Sequence, residues 1–161
     1  MSDVIRIGNC SGFYGDRLDA AREMVEGGPI DVLTGDYLAE LTMSILYNQQ
    51  QTRGEDTGYV GTFLKQVQDV AALCSEKNIK IVSNAGGLNP RSMALEVEKI
   101  LEALGLDLKV AYIDGDNLLP DLDQLQSDGE SFTNLDTQQH LKDSDQKALT
   151  ANAYLGGWGI K

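Results

Sequence analysis

Three aspartates carry the side chains best suited to chemistry in this sequence. Asp36 follows the β-branched run Ile30–Leu33, and Asp114 and Asp116 follow a similar run, Leu108–Ile113. Carboxylates in such loops can transfer protons or hold a hydrated Mg²⁺ ion. The same residue type also begins helices and forms turns, so a structural role stays open for each. We treat the three as candidate catalytic residues and leave the metal open.

Loops rich in Gly, Asn and Ser occupy the same kind of position, directly after apolar runs. Such loops expose backbone N–H groups and let a ligand approach the main chain closely. Arg17 and Arg91 place positive charge beside them. Asn89 followed by Pro90 is typical of a helix N-cap, which needs no ligand. The candidate ligand-binding residues in these loops are Asn9, Ser11, Gly12, Gly15, Asp16, Arg17, Gly35, Asn84, Gly86, Gly87 and Asn89.

The elements that must position these loops alternate between strand and helix. Apolar periodicity predicts strands at Val4–Ile7, Ile30–Leu33, Ile79–Val82 and Leu108–Ile113, and helices at Asp16–Val25, Leu38–Leu46, Phe63–Cys74 and Met93–Leu104. Strands separated by whole helices are most simply parallel, with right-handed crossovers. The predicted fold is α/β: an open, mostly parallel sheet with helices on both faces, a Rossmann-like three-layer arrangement. Its strand-end loops share one edge, where open sheets bind ligands.

Length and composition indicate one globular domain over residues 1–161. The chain is 42% hydrophobic and 24% charged, which suits a single core. The segment 121–147 is rich in Asp, Gln, Ser and Thr and is predicted to be a polar excursion outside the sheet.

The net charge of the chain limits the kinds of partner that it can bind. The formal net charge is −12, from 25 acidic and 13 basic residues, which disfavours nucleic acid and anionic membrane surfaces. No apolar run approaches the ~20 residues that a membrane span needs. The composition therefore predicts a cytoplasmic protein whose partner is a small metabolite.

The residues that several classes of catalysis require are absent from this sequence or poorly placed in it. The single histidine, His140, falls in the polar segment, which disfavours Ser-His-Asp and Cys-His chemistry. Cys10 follows a strand without a basic residue close by, so we give it little weight as a nucleophile. Its spacing from Cys74 suggests neither a disulfide framework nor a zinc site. The sequence also lacks the G-x-x-x-x-G-K-[ST] motif of Walker A ATPases.

A nicotinamide-binding oxidoreductase is an alternative. Gly8, Gly12 and Gly15 after the first strand, Asp36 after the second and Asn84–Gly86 after a later one are similar to the short-chain dehydrogenases. The glycine spacing departs from that pattern by one residue. No Tyr-x3-Lys pair is present to donate the proton.

Four blocks in order resemble the N-terminal domain of the acyclic terpene utilisation family: Ile7–Arg17, Asp31–Glu40, Ser83–Pro90 and Ala151–Gly157. The resemblance covers essentially the whole chain and adds Asn152 to the candidate ligand-binding residues. It implies a part in the bacterial breakdown of acyclic terpenes such as citronellol and geraniol, whose acyl-CoA forms neighbouring enzymes process. Members of the family are longer, so the resemblance also implies a sheet that is incomplete at its C-terminal end.

Two functions follow as hypotheses. In the first, the chain is the N-terminal part of a family protein and binds a small anionic or acyl-CoA-type metabolite at the C-terminal edge of a parallel sheet. The reaction and any cofactor stay open. In the second, the chain is a non-catalytic scaffold or oligomerisation subunit, whose tail around Trp158 packs against another copy or against a missing C-terminal part.

Overall fold

The structure, a computed structural model, describes residues 4–161, so the first three residues of the predicted 1–161 domain lie outside the described residues. The chain divides into two compact units, the first ending at Ile113 and the second running from Asp114 to Lys161. Among its described residues, the first unit holds three strands and four helices: β1 (Ile7–Asn9), α1 (Ala20–Gly27), β2 (Val32–Gly35), α2 (Glu40–Arg53), α3 (Gly61–Glu76), β3 (Lys80–Ser83) and α4 (Pro90–Ala103).

The three strands form one parallel sheet in the order β1-β2-β3. Ile7 pairs with Val32, and Val32 pairs with Lys80, so the strands lie in close register. Helices connect each strand to the next, as parallel neighbours require. The α/β class and the open parallel sheet predicted from the sequence are confirmed.

One face of this sheet carries the helical layer. Gly8, Leu33 and Ile81 are in register, and the last two pack into the helix-covered core. On this face α1 contacts β1 and β2, and α3 lies against both α1 and α4. On the opposite face Ile7 is 66% exposed. Right-handed crossovers between strands in sequential order place every crossover on one side. The arrangement is consistent with the Rossmann-like open sheet predicted from the sequence.

The first helix begins later than the periodicity predicts. It starts at Ala20, not at Asp16. The Asp16 carboxylate accepts hydrogen bonds from the backbone N–H groups of Gly12 and Arg17, at 3.0 and 2.8 Å. These bonds hold the preceding residues as a turn, because a short carboxylate competes with helical backbone bonding.

The predicted fourth strand at 108–113 is wrong, because this segment joins no ladder in the described sheet. Val110 still packs against the core cluster that contains Leu101, whereas Tyr112 and Ile113 are exposed. β-branched and aromatic residues favour strands mainly because their side chains pack well on a half-buried surface. Packing of Val110 satisfies that preference here without strand pairing.

The core of the first unit consists of two groups of buried side chains. Leu46, Val60 and Val67 belong to the group on which α2, α3 and α4 meet. Val25 and Val70 belong to the group between α1, α3 and the sheet. Residues at the starts of the strand-end loops belong to these groups, Tyr37 and Ala85 to the first and Cys10 to the second. Core packing therefore fixes the ends of these loops.

The second unit has little regular structure. It contains α5 (Leu122–Ser127) and 3₁₀ turns at Leu119–Asp121 and Leu141–Asp143, and most residues of the polar segment 121–147 are exposed. No helix within residues 4–161 has the length and apolarity to cross a membrane.

We predict that Leu46→Ala lowers the free energy of unfolding by about 2–5 kcal/mol, because it removes buried methyl groups and leaves a cavity. Leu46 is 0% exposed, whereas Leu41 in the same helix is 73% exposed. The control Leu41→Ala should change stability by less than about 0.5 kcal/mol. Urea denaturation measures both, and equal losses for the two variants would contradict this packing of α2.

Candidate functional site

Hydrogen bonds join the three loops that follow the strands. The Asp36 N–H donates to the carbonyl of Ser11 at 2.9 Å, which ties the second loop to the first. Asn84 joins the third loop to the second, because its Oδ1 accepts from the Tyr37 N–H at 3.0 Å and its Nδ2 donates to Asp36 Oδ1 at 2.7 Å. The structure therefore brings Ser11, Asp36 and Asn84 to one edge of the sheet.

The first loop carries its own anion. The Asp16 carboxylate occupies the N–H groups of Gly12 and Arg17, and these two hydrogen bonds lower the pKa of Asp16. Gly15 adopts a φ of +99°, which glycine tolerates without strain. The Gly12 donor that the sequence suggested for a ligand is thus already paired within the loop.

Arg17 is the cation of this loop and is held by two acids. Its guanidinium forms ion pairs with Asp19 at 3.0 Å and with Glu23 at 2.5 Å. Hydrogen bonds to Asp19 and then to Glu23 raise the pKa of Arg17. All three side chains are more than half exposed. Water weakens such exposed pairs, so a ligand carboxylate can compete for the guanidinium.

An open cleft of about 590 Å³ lies between this loop and α1. Five of the predicted ligand-binding residues line it, and α1 supplies most of the remaining wall. The lining residues are Asn9, Cys10, Ser11, Gly12, Asp16, Arg17, Ala20, Glu23, Met24, Gly27 and Gly28. A separate cavity of about 10 Å³ lies beneath, against Tyr37 and Gln66, and has room for no more than one water molecule.

Close packing explains three of the predicted binding glycines. A Cβ at Gly35 would lie 2.6 Å from the Tyr37 ring, and one at Gly86 would lie 2.7 Å from Pro90 Cβ. Gly87 has a φ of +53°, and a Cβ there would lie 2.3 Å from Leu46 Cδ1. These positions need glycine to let other atoms approach, whether or not a ligand binds.

The third loop uses its backbone donors internally. The N–H groups of Gly87, Leu88 and Asn89 donate to the carbonyls of Asn84, Gly58 and Gly86 respectively. Asn89 Oδ1 accepts from the Ser92 N–H at 3.0 Å, and Pro90 is the first residue of α4. The predicted N-cap is confirmed. A ligand role for Asn84, Gly86, Gly87 and Asn89 stays a prediction.

Two predicted residues meet in the second unit. Asn152 Nδ2 donates to Asp116 Oδ2 at 2.9 Å, and the Ala153 N–H donates to the Asp116 carbonyl at 2.8 Å. Asp114 begins this unit. Among residues 4–161, no group of three or more His, Cys, Asp or Glu side chains is placed to hold a metal ion.

A buried polar pair lies under the loops and was not predicted from the sequence. Tyr37 Oη donates to Gln66 Oε1 at 2.5 Å, and Gln66 Nε2 donates to the carbonyl of Arg17 at 3.3 Å. Burial raises the pKa of Tyr37. Gln66 sits at helical spacing from Phe63 and Val70, on the apolar face of α3. A glutamine in this otherwise apolar row of α3 is the feature of the sequence that could have indicated the buried pair.

The buried thiols are poorly suited to nucleophilic chemistry. Cys10 is 7% exposed, and burial raises its pKa, partly offset by a long contact of 4.0 Å between its Sγ and Tyr37 Oη. Burial likewise raises the pKa of Cys74 to about 11. At neutral pH both side chains are neutral thiols, and the attacking species would be scarce.

Comparison with known families matches nearly the whole chain. Residues 5–161 match the family described as "Acyclic terpene utilisation family protein AtuA". The chain belongs to this family. No curated protein and no solved structure was found to match it. The resemblance inferred from the four sequence blocks is confirmed.

We predict that Gly87→Ala lowers the free energy of unfolding by about 2–4 kcal/mol, because the new methyl group meets Leu46 and the positive φ strains an L-residue. The matched control is Gly27→Ala at the end of α1, where a Cβ would meet no atom within 4 Å. The control should change stability by less than about 1 kcal/mol. If the two variants unfold at the same denaturant concentration, this reading of the third loop is wrong.

Proposed function

We propose that this family member binds a small metabolite of acyclic terpene breakdown, an acyl-CoA-type or other anionic derivative, in the cleft at the C-terminal edge of its sheet. One observation carries the proposal. The cleft of about 590 Å³ forms where Asn9, Ser11, Gly12, Asp16 and Arg17 converge, at the edge where open parallel sheets bind ligands.

The two sides of the cleft differ in chemistry. Ala20, Met24 and the Gly27–Gly28 pair offer apolar and small surface along α1. Asn9 brings an exposed side-chain amide from the end of β1, whereas the Ser11 hydroxyl is buried and donates to the Phe13 carbonyl at 3.1 Å. A ligand with a hydrocarbon chain and a polar end suits this arrangement, since the chain removes apolar surface from water and the polar end meets hydrogen-bonding groups.

Arg17 is the group that would meet an anionic end. Its guanidinium can exchange Asp19 and Glu23 for a ligand carboxylate at little cost in lost ion pairing, because water already weakens these exposed pairs. Asp16 and Glu23 also line the cleft, and they limit how much negative charge it accepts. We therefore expect one carboxylate or carbonyl at Arg17, with any larger anionic group extending into solvent.

The catalytic aspartates stay proposals. Asp36 accepts a hydrogen bond from Asn84 at the same edge as the cleft, which is a place from which a carboxylate can act on a bound ligand. Asp114 and Asp116 belong to the second unit and are proposed as acid–base or Mg²⁺-binding groups on residue type alone. The nicotinamide alternative is less favoured, since Asp16 already occupies the Gly12 N–H that a pyrophosphate would use.

We predict that calorimetry detects binding of citronellate or citronellyl-CoA, and that Arg17→Gln or Asn9→Ala weakens it about tenfold through loss of a hydrogen bond to the ligand. The control Asn48→Ala, on the exposed surface of α2, should bind like the parent. Binding of free coenzyme A tests the contacts to the polar end of the ligand, and binding of citronellol tests the contacts to its hydrocarbon chain. The proposal fails if none of these probes binds, or if the cleft variants bind as the parent does.

A scaffold or oligomerisation role is a second candidate, which exposed aromatic side chains in the second unit favour. Tyr154 is 96% exposed and Trp158 is 83% exposed. Large apolar side chains that stay in water are typical of surfaces that associate.

For this second candidate we predict that the parent chain forms a concentration-dependent oligomer and that Trp158→Ser shifts it to monomer. Light scattering coupled to size-exclusion chromatography measures the mass. Leu135→Ser is the control, since Leu135 is 90% exposed but lies outside the tail. A parent that is monomeric at all concentrations would remove this candidate.

A further inference from the structure

Tyr37 and Gln66 form a hydrogen-bonded polar pair within an apolar core. Tyr37 is 2% exposed and Gln66 is 4% exposed. Their side chains meet at 2.5 Å between Oη and Oε1, and the Tyr37 ring also packs edge-on against Phe63 at 5.8 Å between centroids. Val67 and Val70 surround Gln66 on the buried face of α3.

A polar pair buried in this core carries a free-energy cost of desolvation that an apolar pair would avoid. Burial of an amide or a hydroxyl is unfavourable unless each group is hydrogen-bonded, and leucine at position 66 would fit the periodicity of α3. Buried polar networks in other proteins fix one arrangement of the elements that they join. The role of this pair therefore depends on which elements of the fold its hydrogen bonds join.

The pair contacts all three strand-end loops. Tyr37 belongs to the second loop, and its backbone N–H donates to Asn84 of the third loop at 3.0 Å. Gln66 Nε2 donates to the carbonyl of Arg17 in the first loop at 3.3 Å. Cys10, where the first loop begins, lies with its Sγ 4.0 Å from Tyr37 Oη. Arg17 and Cys10 both line the cleft.

We propose that Tyr37 and Gln66 are positioning residues that hold the loop from Cys10 to Asp19 against the core and so fix the wall of the cleft. The Gln66 side chain links α3 to the Arg17 carbonyl through a hydrogen bond from Nε2. The Tyr37 hydroxyl bonds to the other end of the Gln66 amide and so keeps Nε2 oriented toward that carbonyl. Neither side chain needs to touch the ligand. The effect on binding rests on the proposed function, whereas the effect on the loop does not.

Hydrogen exchange followed by mass spectrometry tests the effect on the loop without a ligand. In Gln66→Leu and in Tyr37→Phe, the amides of residues 10–19 should exchange about fivefold faster, as expected for the loss of one hydrogen bond. Val67→Ala is the matched control: it is the next residue of α3, is 4% exposed and makes no side-chain hydrogen bond. It should lower global stability and leave exchange in the loop within about twofold of the parent.

The double variant Gln66→Leu with Tyr37→Phe adds a second test. Since both variants break the same contact, its exchange in residues 10–19 should match that of Gln66→Leu alone rather than the product of the two effects. If Gln66→Leu does not fold, Tyr37→Phe decides, because it removes one oxygen only. Unchanged exchange in residues 10–19 in the folded variants would overturn the proposal.

A ligand arm separates this proposal from the proposed function. With citronellyl-CoA as the probe, both single variants should bind about fivefold more weakly, and Val67→Ala should bind like the parent. A parent that binds no probe, with loop exchange accelerated in the variants, contradicts the proposed function and supports the positioning role. A loop that loosens while affinity stays unchanged would show that the held loop does not shape the ligand site, and would overturn the extension of the proposal to binding.

Discussion

The carboxyl ends of β1, β2 and β3 lie at one edge because all three strands are parallel and adjacent in sequence order. This constraint determines the rest of the first unit. It brings the loops after the strands together, and it places the crossover helices on one face, where Leu33 and Ile81 meet them. The cleft is a consequence, since it lies between the loop after β1 and the helix that carries the chain back to β2.

Side-chain hydrogen bonds add to the backbone bond between Asp36 and Ser11 in holding these loops to one another. Asn84 bonds across to Tyr37 and Asp36, Asp16 closes its own loop, and Gln66 reaches Arg17 from the core. The loops are thus fixed before any ligand arrives, which lowers the ordering cost of binding. Asp16 accepts from the Gly12 and Arg17 N–H groups, so these two backbone donors are already paired within the loop.

Much of this arrangement could be predicted from local pattern. The helical spacing from Phe63 to Cys74, the N-cap at Asn89 and the loops after the strands are all encoded by neighbouring residues, and the structure contains them. The start of α1 could not be predicted, because Asp16 turns its carboxylate to Gly12 rather than capping a helix. The segment 108–113 has the composition of a strand and lacks a paired neighbour, which composition cannot reveal.

The sequence by itself determined the α/β class, the family and the positions of the loops that converge, since these depend on periodicity and on short ordered motifs. Only the tertiary structure decided what surrounds the loop residues. In sequence, Gly35, Gly86 and Gly87 are candidate ligand-binding residues, but atoms of Tyr37, Pro90 and Leu46 occupy the space where a side chain would stand. The contact of Gly87 with Leu46 joins residues far apart in the chain, which no local pattern records. The contacts of Gly35 with Tyr37 and of Gly86 with Pro90 are local, but they depend on side-chain directions that packing sets.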